Sequence, residues 1–221
     1  MVRRILSHSD ITLFLEDPDA FLLKITGKPR PPETLYQIVG NVVHRLASGT
    51  DKCAGDEFIR RRLEQLSEAD KEKAFNLIRK HMDAIAYLDE SYTEGSPDRE
   101  KKLAWTDPVT LWSLVAKPDE LIIAHGNDYM QIADFKTAFR LSPKHKEQLY
   151  FFAMVASLAT GYKGPVRLVV KLLGSRCKEV FWYSPKATAR SLSIVRSVIA
   201  RIEVFLVSNG LCIENRNDMA A

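Results

Sequence analysis

The feature that most constrains this chain is a change of hydrophobic period near residue 97. Before it, apolar residues recur at helical spacing, most clearly at Leu35, Ile38, Val39, Val42, Val43 and Leu46. After it, short apolar-rich runs begin, at 101–106, 111–116, 120–124 and 129–136, with Gly126-Asn-Asp128 supplying turn residues before the last. The spacing predicts a first helix after Ser7-His-Ser-Asp10, carrying Ile11, Phe14 and Leu15, helices over 33–47, 57–66 and 68–88, then four strands forming an antiparallel meander. A helix from Pro143 to Ala159, strands over 166–173 and 179–183, and a last helix from Pro185 to about Val207 complete the order. Ser7 or Asp10 can cap the first helix, and Asp17-Pro18 should break it, because the residue before proline avoids the α region. Lys28 to Pro32 reads as a loop, Thr93 to Pro97 as a turn-rich break, and the tail Asn215-Arg-Asn-Asp218 as disordered. The expected class is therefore α/β: a central mixed β-sheet flanked by helices. No linker interrupts the pattern, so residues 1–221 are expected to form one domain, with a helical N-terminal part (1–95) and a core (96–208).

Composition narrows the function classes only a little. The formal charge of +4 permits a polyanionic partner without demanding one. Cys53, Cys177 and Cys212 are widely separated and form no C-x-x-C pair, which gives no support to a zinc or iron–sulfur framework. The odd count fits a reducing compartment. The most apolar run, 149–159, falls short of the ~18 residues that suggest a membrane span. With no secretory signal in view, a soluble cytoplasmic chain is the expectation.

Four local features carry chemistry. Asp134-Phe135-Lys136 ends a strand, so Asp134 and Lys136 share one face and Phe135 points to the other. A carboxylate there can hold a hard cation such as Mg²⁺, and the lysine can orient water or stabilise charge developing on a phosphate. Taken alone, the tripeptide is more often a surface ion pair. Lys117-Pro118-Asp119 precedes the neighbouring strand, and a hairpin of this length would bring Asp119 beside Asp134. Two converging carboxylates resist joint ionisation unless a cation joins them; the plainer reading of Pro118-Asp119 is turn chemistry. Gly40-Asn-Val-Val-His44 lies on a helix, where His44 leans over the turn holding Gly40. A helical glycine costs about 1 kcal/mol relative to alanine, so it invites a reason: the approach of a metal or a strand, or simply helix packing. Finally, Gln148 stands early in the helix after the strand, preceded by Lys144 and Lys146, which could meet phosphate oxygens, or merely face solvent.

The order G-x-x-x-H, P-D, D-x-K and Q-L-x-x-Φ resembles the RecB-like nucleases of the PD-(D/E)XK superfamily, in the branch with exonucleases of the CRISPR-adaptation type. The match reads Gly40 to His44, Pro118 to Ile122, Ile132-Ala-Asp-Phe-Lys-Thr137 and Gln148 to Ala153, and Ser7 to Ile11 with Pro18 and Phe21 looks like the family's opening segment. It spans about residues 7–183. The resemblance implies a restriction-endonuclease-like core and a metal-dependent DNA nuclease, an exonuclease on single strands or duplex ends, working in repair, recombination or replication. It implies Mg²⁺ or Mn²⁺ held by His44, Asp119 and Asp134, with the Phe135 carbonyl as a further ligand. Asp119, Asp134, Lys136 and Gln148 would form the catalytic set, and Lys144, Lys146, Gln148 and Tyr150 would contact DNA. The sequence departs from the pattern in two places. Asp17, not cysteine, precedes Pro18, and only Cys212 lies near the end, so no iron–sulfur cluster is expected. Phe152 stands where the family usually carries tyrosine, with Tyr150 two residues earlier. The competing expectation is a non-catalytic nucleic-acid-binding or scaffold protein with this fold.

Overall fold

The computed structural model describes residues 2–28, 32–47, 55–89, 98–99, 101–123 and 130–213, except the side chains of 55 and 56. The chain opens with strand β1 (Ile5–Ser7) and helices α1 (His8–Glu16), α2 (Pro18–Ile25), α3 (Leu35–Ala47), α4 (Gly55–Leu63) and α5 (Glu68–Asp89). Strands β2 (Asp98–Arg99), β3 (Leu103–Thr106), β4 (Ser113–Ala116), β5 (Glu120–Ile123) and β6 (Met130–Lys136) follow. Helix α6 (Pro143–Thr160), strands β7 (Val166–Leu172) and β8 (Cys177–Tyr183), and helix α7 (Ala187–Ser208) complete the order. The loop centre at 29–31, the 93–97 break, the 126–128 turn, Cys53 and the tail beyond residue 213 lie outside the described residues.

Local chemistry explains most boundaries. Ser7 caps α1 in a reciprocal box with Asp10. The Asp17-Pro18 break is present, but a second helix starts at once: Asp17 accepts from the Ala20 amide and Pro18 takes the first helical position, where its missing N–H is not needed. The helix expected from residue 33 begins at Leu35, with Thr34 and Gln37 bonded to each other at its entrance.

The strands depart from the expected meander. A central five-stranded sheet runs β2-β5-β6-β7-β8, and a separate three-stranded sheet runs β1-β4-β3. Both are mixed, since β6 and β7 are parallel, as are β1 and β4, while the other pairings are antiparallel. The meander fails because both edges of β4 are taken, one by β3 and the other by β1, leaving none for β5. The α/β class with a mixed central sheet stands.

One face of the five-stranded sheet, carrying Leu121, Ile132, Leu168, Val170 and Leu172, joins a core with α6 and α7. Phe135 points to the other face, into the core built by Ile38, Val39, Val42 and Val43 of α3 with α4 and α5. Leu149 and residues 151–157 are buried along α6 because that helix contacts both sheets. Among the described residues, no helix is long and apolar enough to cross a membrane.

Helix α7 is tied to the small sheet through polar groups. Arg196 donates twice to the buried Asp107 carboxylate (2.6 and 2.8 Å), and the Trp112 indole donates to Glu203 (2.8 Å). The bonds from Arg196 hold the Asp107 carboxyl at about 2, below its ordinary 3.8. A depressed folded-state value stabilises above the unfolded value and is lost as pH falls through the folded one. The melting temperature should therefore decline between pH 4 and pH 2, and Asp107→Asn should flatten that part of the profile. Equal slopes in the two proteins would remove Asp107 from the acid response.

Candidate active site

The site lies where β5 begins and β6 ends. Register places Glu120 opposite Ala133, so Asp119, one residue before β5, comes opposite Asp134. Both carboxylates are buried. Asp119 is held at both oxygens: His44 Nδ1 lies 2.7 Å from Oδ1, and the Phe135 amide donates to Oδ2 at 2.5 Å. Asp134 Oδ2 is an ion-pair neighbour of Lys136 Nζ at 2.5 Å but takes no hydrogen bond of normal geometry. Lys136 Nζ donates to Gln148 Oε1 at 2.8 Å.

Each element delivers its residue for a physical reason. The two-residue period of β6 aims Asp134 and Lys136 to one side while Phe135 anchors in the helical core. The apolar stripe of α3 is buried against that core, which fixes the helix and leaves His44 half-buried beside Asp119. Beyond β6, Leu173 donates to the Lys136 carbonyl (2.8 Å) and Gly174 to the Ala138 carbonyl (3.2 Å). A Cβ on Gly174 would come 2.9 Å from the Ala138 oxygen, so a side chain there would push the strand end out of place.

The charges are under tension. Burial pushes the Asp119 carboxyl upward, the Asp134 charge pushes it the same way, and the bonds from His44 and the Phe135 amide offset them only in part. On His44, burial disfavours the charged form, yet the bond to Asp119 and the charges of Asp119 and Asp134 prevail and raise its pKa above 6.5. A divalent cation would relieve this tension. Buried carboxylate oxygens, one of them without a hydrogen bond, suit a hard ion that keeps part of its solvent shell. Among the described residues, no group of three or more His, Cys, Asp or Glu side chains stands as a ready cage. The donor set fits a cation shared with substrate oxygens better than a closed protein site.

The residues expected to contact DNA divide. Gln148 joins Lys136. Lys146 and Tyr150, half a helical turn away from it, turn toward β8: Lys146 Nζ lies 5.7 Å from the Phe181 ring centroid, and Tyr150 meets Phe181 edge-on at 5.8 Å. Lys144 is ion-paired with Glu16 of α1 (2.5 Å).

Sequence reasoning missed two features. His8, first residue of α1, senses the charges of Glu147, Lys136 and Asp134; its pKa is lowered, chiefly by burial, and its ring lies 5.7 Å from Phe151. The Ser7 cap was the available signal, since it sets His8 at the helix entrance. Behind Phe135, the fully buried Lys171 donates to Glu120 (2.8 Å) and Asp89 (2.5 Å) and lies 4.9 Å from the Phe135 ring centroid. Its signal was a lysine inside the apolar run of β7.

A family model described as the PD-(D/E)XK nuclease superfamily matches residues 5–208. The chain belongs to the PD-(D/E)XK nuclease superfamily. Asp119, Asp134 and Lys136 stand within the matched range, at adjoining strand ends. Among solved structures, a protein from Eubacterium rectale named "Putative exonuclease" superposes with a TM-score of 0.61 at 14% identity, covering 95% of this chain and 83% of that one. That likeness shows a shared fold. The crystal structure of SSO0001 superposes with a TM-score of 0.37 at 11% identity, over 86% of this chain and 84% of that one. No curated protein matches the sequence. PD-(D/E)XK nucleases generally use divalent metals, in keeping with the paired carboxylates here.

Proposed function

We propose that this PD-(D/E)XK protein is a single-domain, Mg²⁺- or Mn²⁺-dependent deoxyribonuclease, an exonuclease that acts on single strands or duplex ends in repair, recombination or replication. The observation that carries the reading is the convergence of two buried carboxylates, Asp119 and Asp134, with Lys136 on the second. A purely binding protein has no use for that costly arrangement.

Asp119 and Asp134 would hold the cation, with His44 and the Phe135 carbonyl as further candidate ligands. When bound, the metal neutralises phosphate charge and lowers the pKa of water. Lys136 holds the attacking water or the charge that builds on the phosphate oxygens, and Gln148 keeps the lysine in place. Water oxygen bonds to phosphorus as the bond to the leaving oxygen breaks, and a proton returns to that oxygen. His44 keeps Asp119 oriented. Lys146 and Tyr150 lie on the strand's path beside β8, where a phosphate can meet the ammonium and a base can stack on the ring.

The test is degradation of end-labelled linear single- and double-stranded DNA with Mg²⁺, Mn²⁺ or EDTA. Metal-dependent release of label is expected, and Lys136→Met should lower kcat by about 10²–10³-fold. A folded parent chain that cleaves nothing with either metal would leave the non-catalytic binding reading in its place.

A further inference from the structure

A cavity of about 760 Å³ opens between α1, α2 and α3, with His44 in its wall. Its volume lies in the range of ligand pockets. On the same face of α3 stands Gly40, and a Cβ built there would meet no heavy atom within 4 Å. Neither close packing nor a positive φ requires glycine at this position. What the missing side chain provides is room beside the histidine.

The lining tells what the room suits. Its charged residues are already neutralised: Lys24 is ion-paired with Asp10, and Glu33 pairs with Arg62 (2.5 Å) and accepts from Asn41 (2.9 Å). A phosphate entering it would find its cation engaged elsewhere. Gln37 Oε1 accepts from Thr34 and Asn41 Nδ2 donates to Glu33, which leaves Gln37 Nε2 and Asn41 Oδ1 to meet a ligand, and Leu13 and Leu23 add apolar wall. Amides read the edge of a heteroaromatic ring, and aliphatic walls pack on its faces, which is how extruded bases are held. Because His44 joins this cavity to Asp119, a base held here belongs to a nucleotide next to the scissile phosphate.

We propose that this cavity receives one unpaired nucleobase of the strand being cut, so that the site takes single strands or frayed ends in preference to closed duplex. The inference rests on the nuclease reading for its substrate and adds the element that selects the strand.

The test uses the full chain and short single-stranded oligonucleotides carrying 2-aminopurine at each position in turn, bound in EDTA. One position near the cut is expected to change its fluorescence on binding. Gly40→Met, which adds a side chain to the cavity at a position where a Cβ meets no heavy atom within 4 Å, should suppress that change at least fivefold. With metal present, Gly40→Met should raise KM about tenfold. An abasic nucleotide at the responding position should raise the parent's KM as much, and the variant's no further. Ala20→Met, filling from the opposite wall, should give the same pattern, which guards against a folding defect in one variant. A bound and cleaved oligonucleotide with no responding position, or an unchanged KM in both filled variants, overturns the pocket while leaving the nuclease. A responding position without cleavage supports the pocket and overturns the nuclease.

Discussion

Asparagine in place of Asp134 is expected to remove strand cleavage and, with it, the rise in melting temperature that Mg²⁺ or Mn²⁺ gives the parent chain. Asp134 is buried, its Oδ2 takes no hydrogen bond of normal geometry, and the neighbouring Asp119 is pushed upward by burial and by the Asp134 charge. A cation that binds only the folded chain stabilises it by about 2.7 kcal/mol at a hundredfold excess over its Kd. For a chain of this length that corresponds to roughly 5–11 °C. The variant loses one of the two carboxylates facing that ion, so the shift should vanish and cleavage should fall by about 10³-fold or more. Differential scanning fluorimetry with and without metal reads the binding, and label release reads the chemistry. Equal shifts in parent and variant would locate the cation elsewhere, whatever happened to activity.

Lys171→Met is expected to lower the melting temperature more than any substitution at Lys136. The ammonium is fully buried between Glu120 and Asp89, and Glu120 is itself 1% exposed. Taking one partner from a buried ion pair costs about 3–5 kcal/mol, or roughly 6–20 °C here. Arg99 lies 2.9 Å from Asp89 but 3.8 Å from Glu120, so it compensates the aspartate better than the glutamate. The double variant Lys171→Met, Glu120→Leu should recover most of the loss, since apolar groups of similar volume replace buried ion pairs at little net cost. A double variant as unstable as the single one would show that volume, not charge, governs this place.

The sequence made legible whatever depends on short-range period. Asp134 and Lys136 share a face because strands alternate, and α3 carries its own apolar stripe. Asp119 could be set beside Asp134 because a hairpin relates them. Pairing across long separations left no such trace. Ile5 to Ser7 is too short for a pattern, and its partner β4 lies over 100 residues away, so the division into two sheets was hidden. Lys144 read as a phosphate contact or a solvated side chain, and its ion pair with Glu16 of α1 could not be seen in the sequence. Lys171 drew no reading of its own, because its partners come from β5 and the end of α5.

The contacts that build the candidate centre span very different loops of chain. Lys136 meets Gln148 across 12 residues and Phe135 meets Asp119 across 16, but His44 meets Asp119 across 75. Contacts over long loops form late, because closing them sacrifices more chain entropy before any reward arrives. A chain emerging from synthesis can thus shape its lysine and carboxylates locally while the helix bearing His44 is still undocked. Full cutting power arrives only with the last docking step. In a refolding time course, the return of cleavage should trail the return of strand and helix signal.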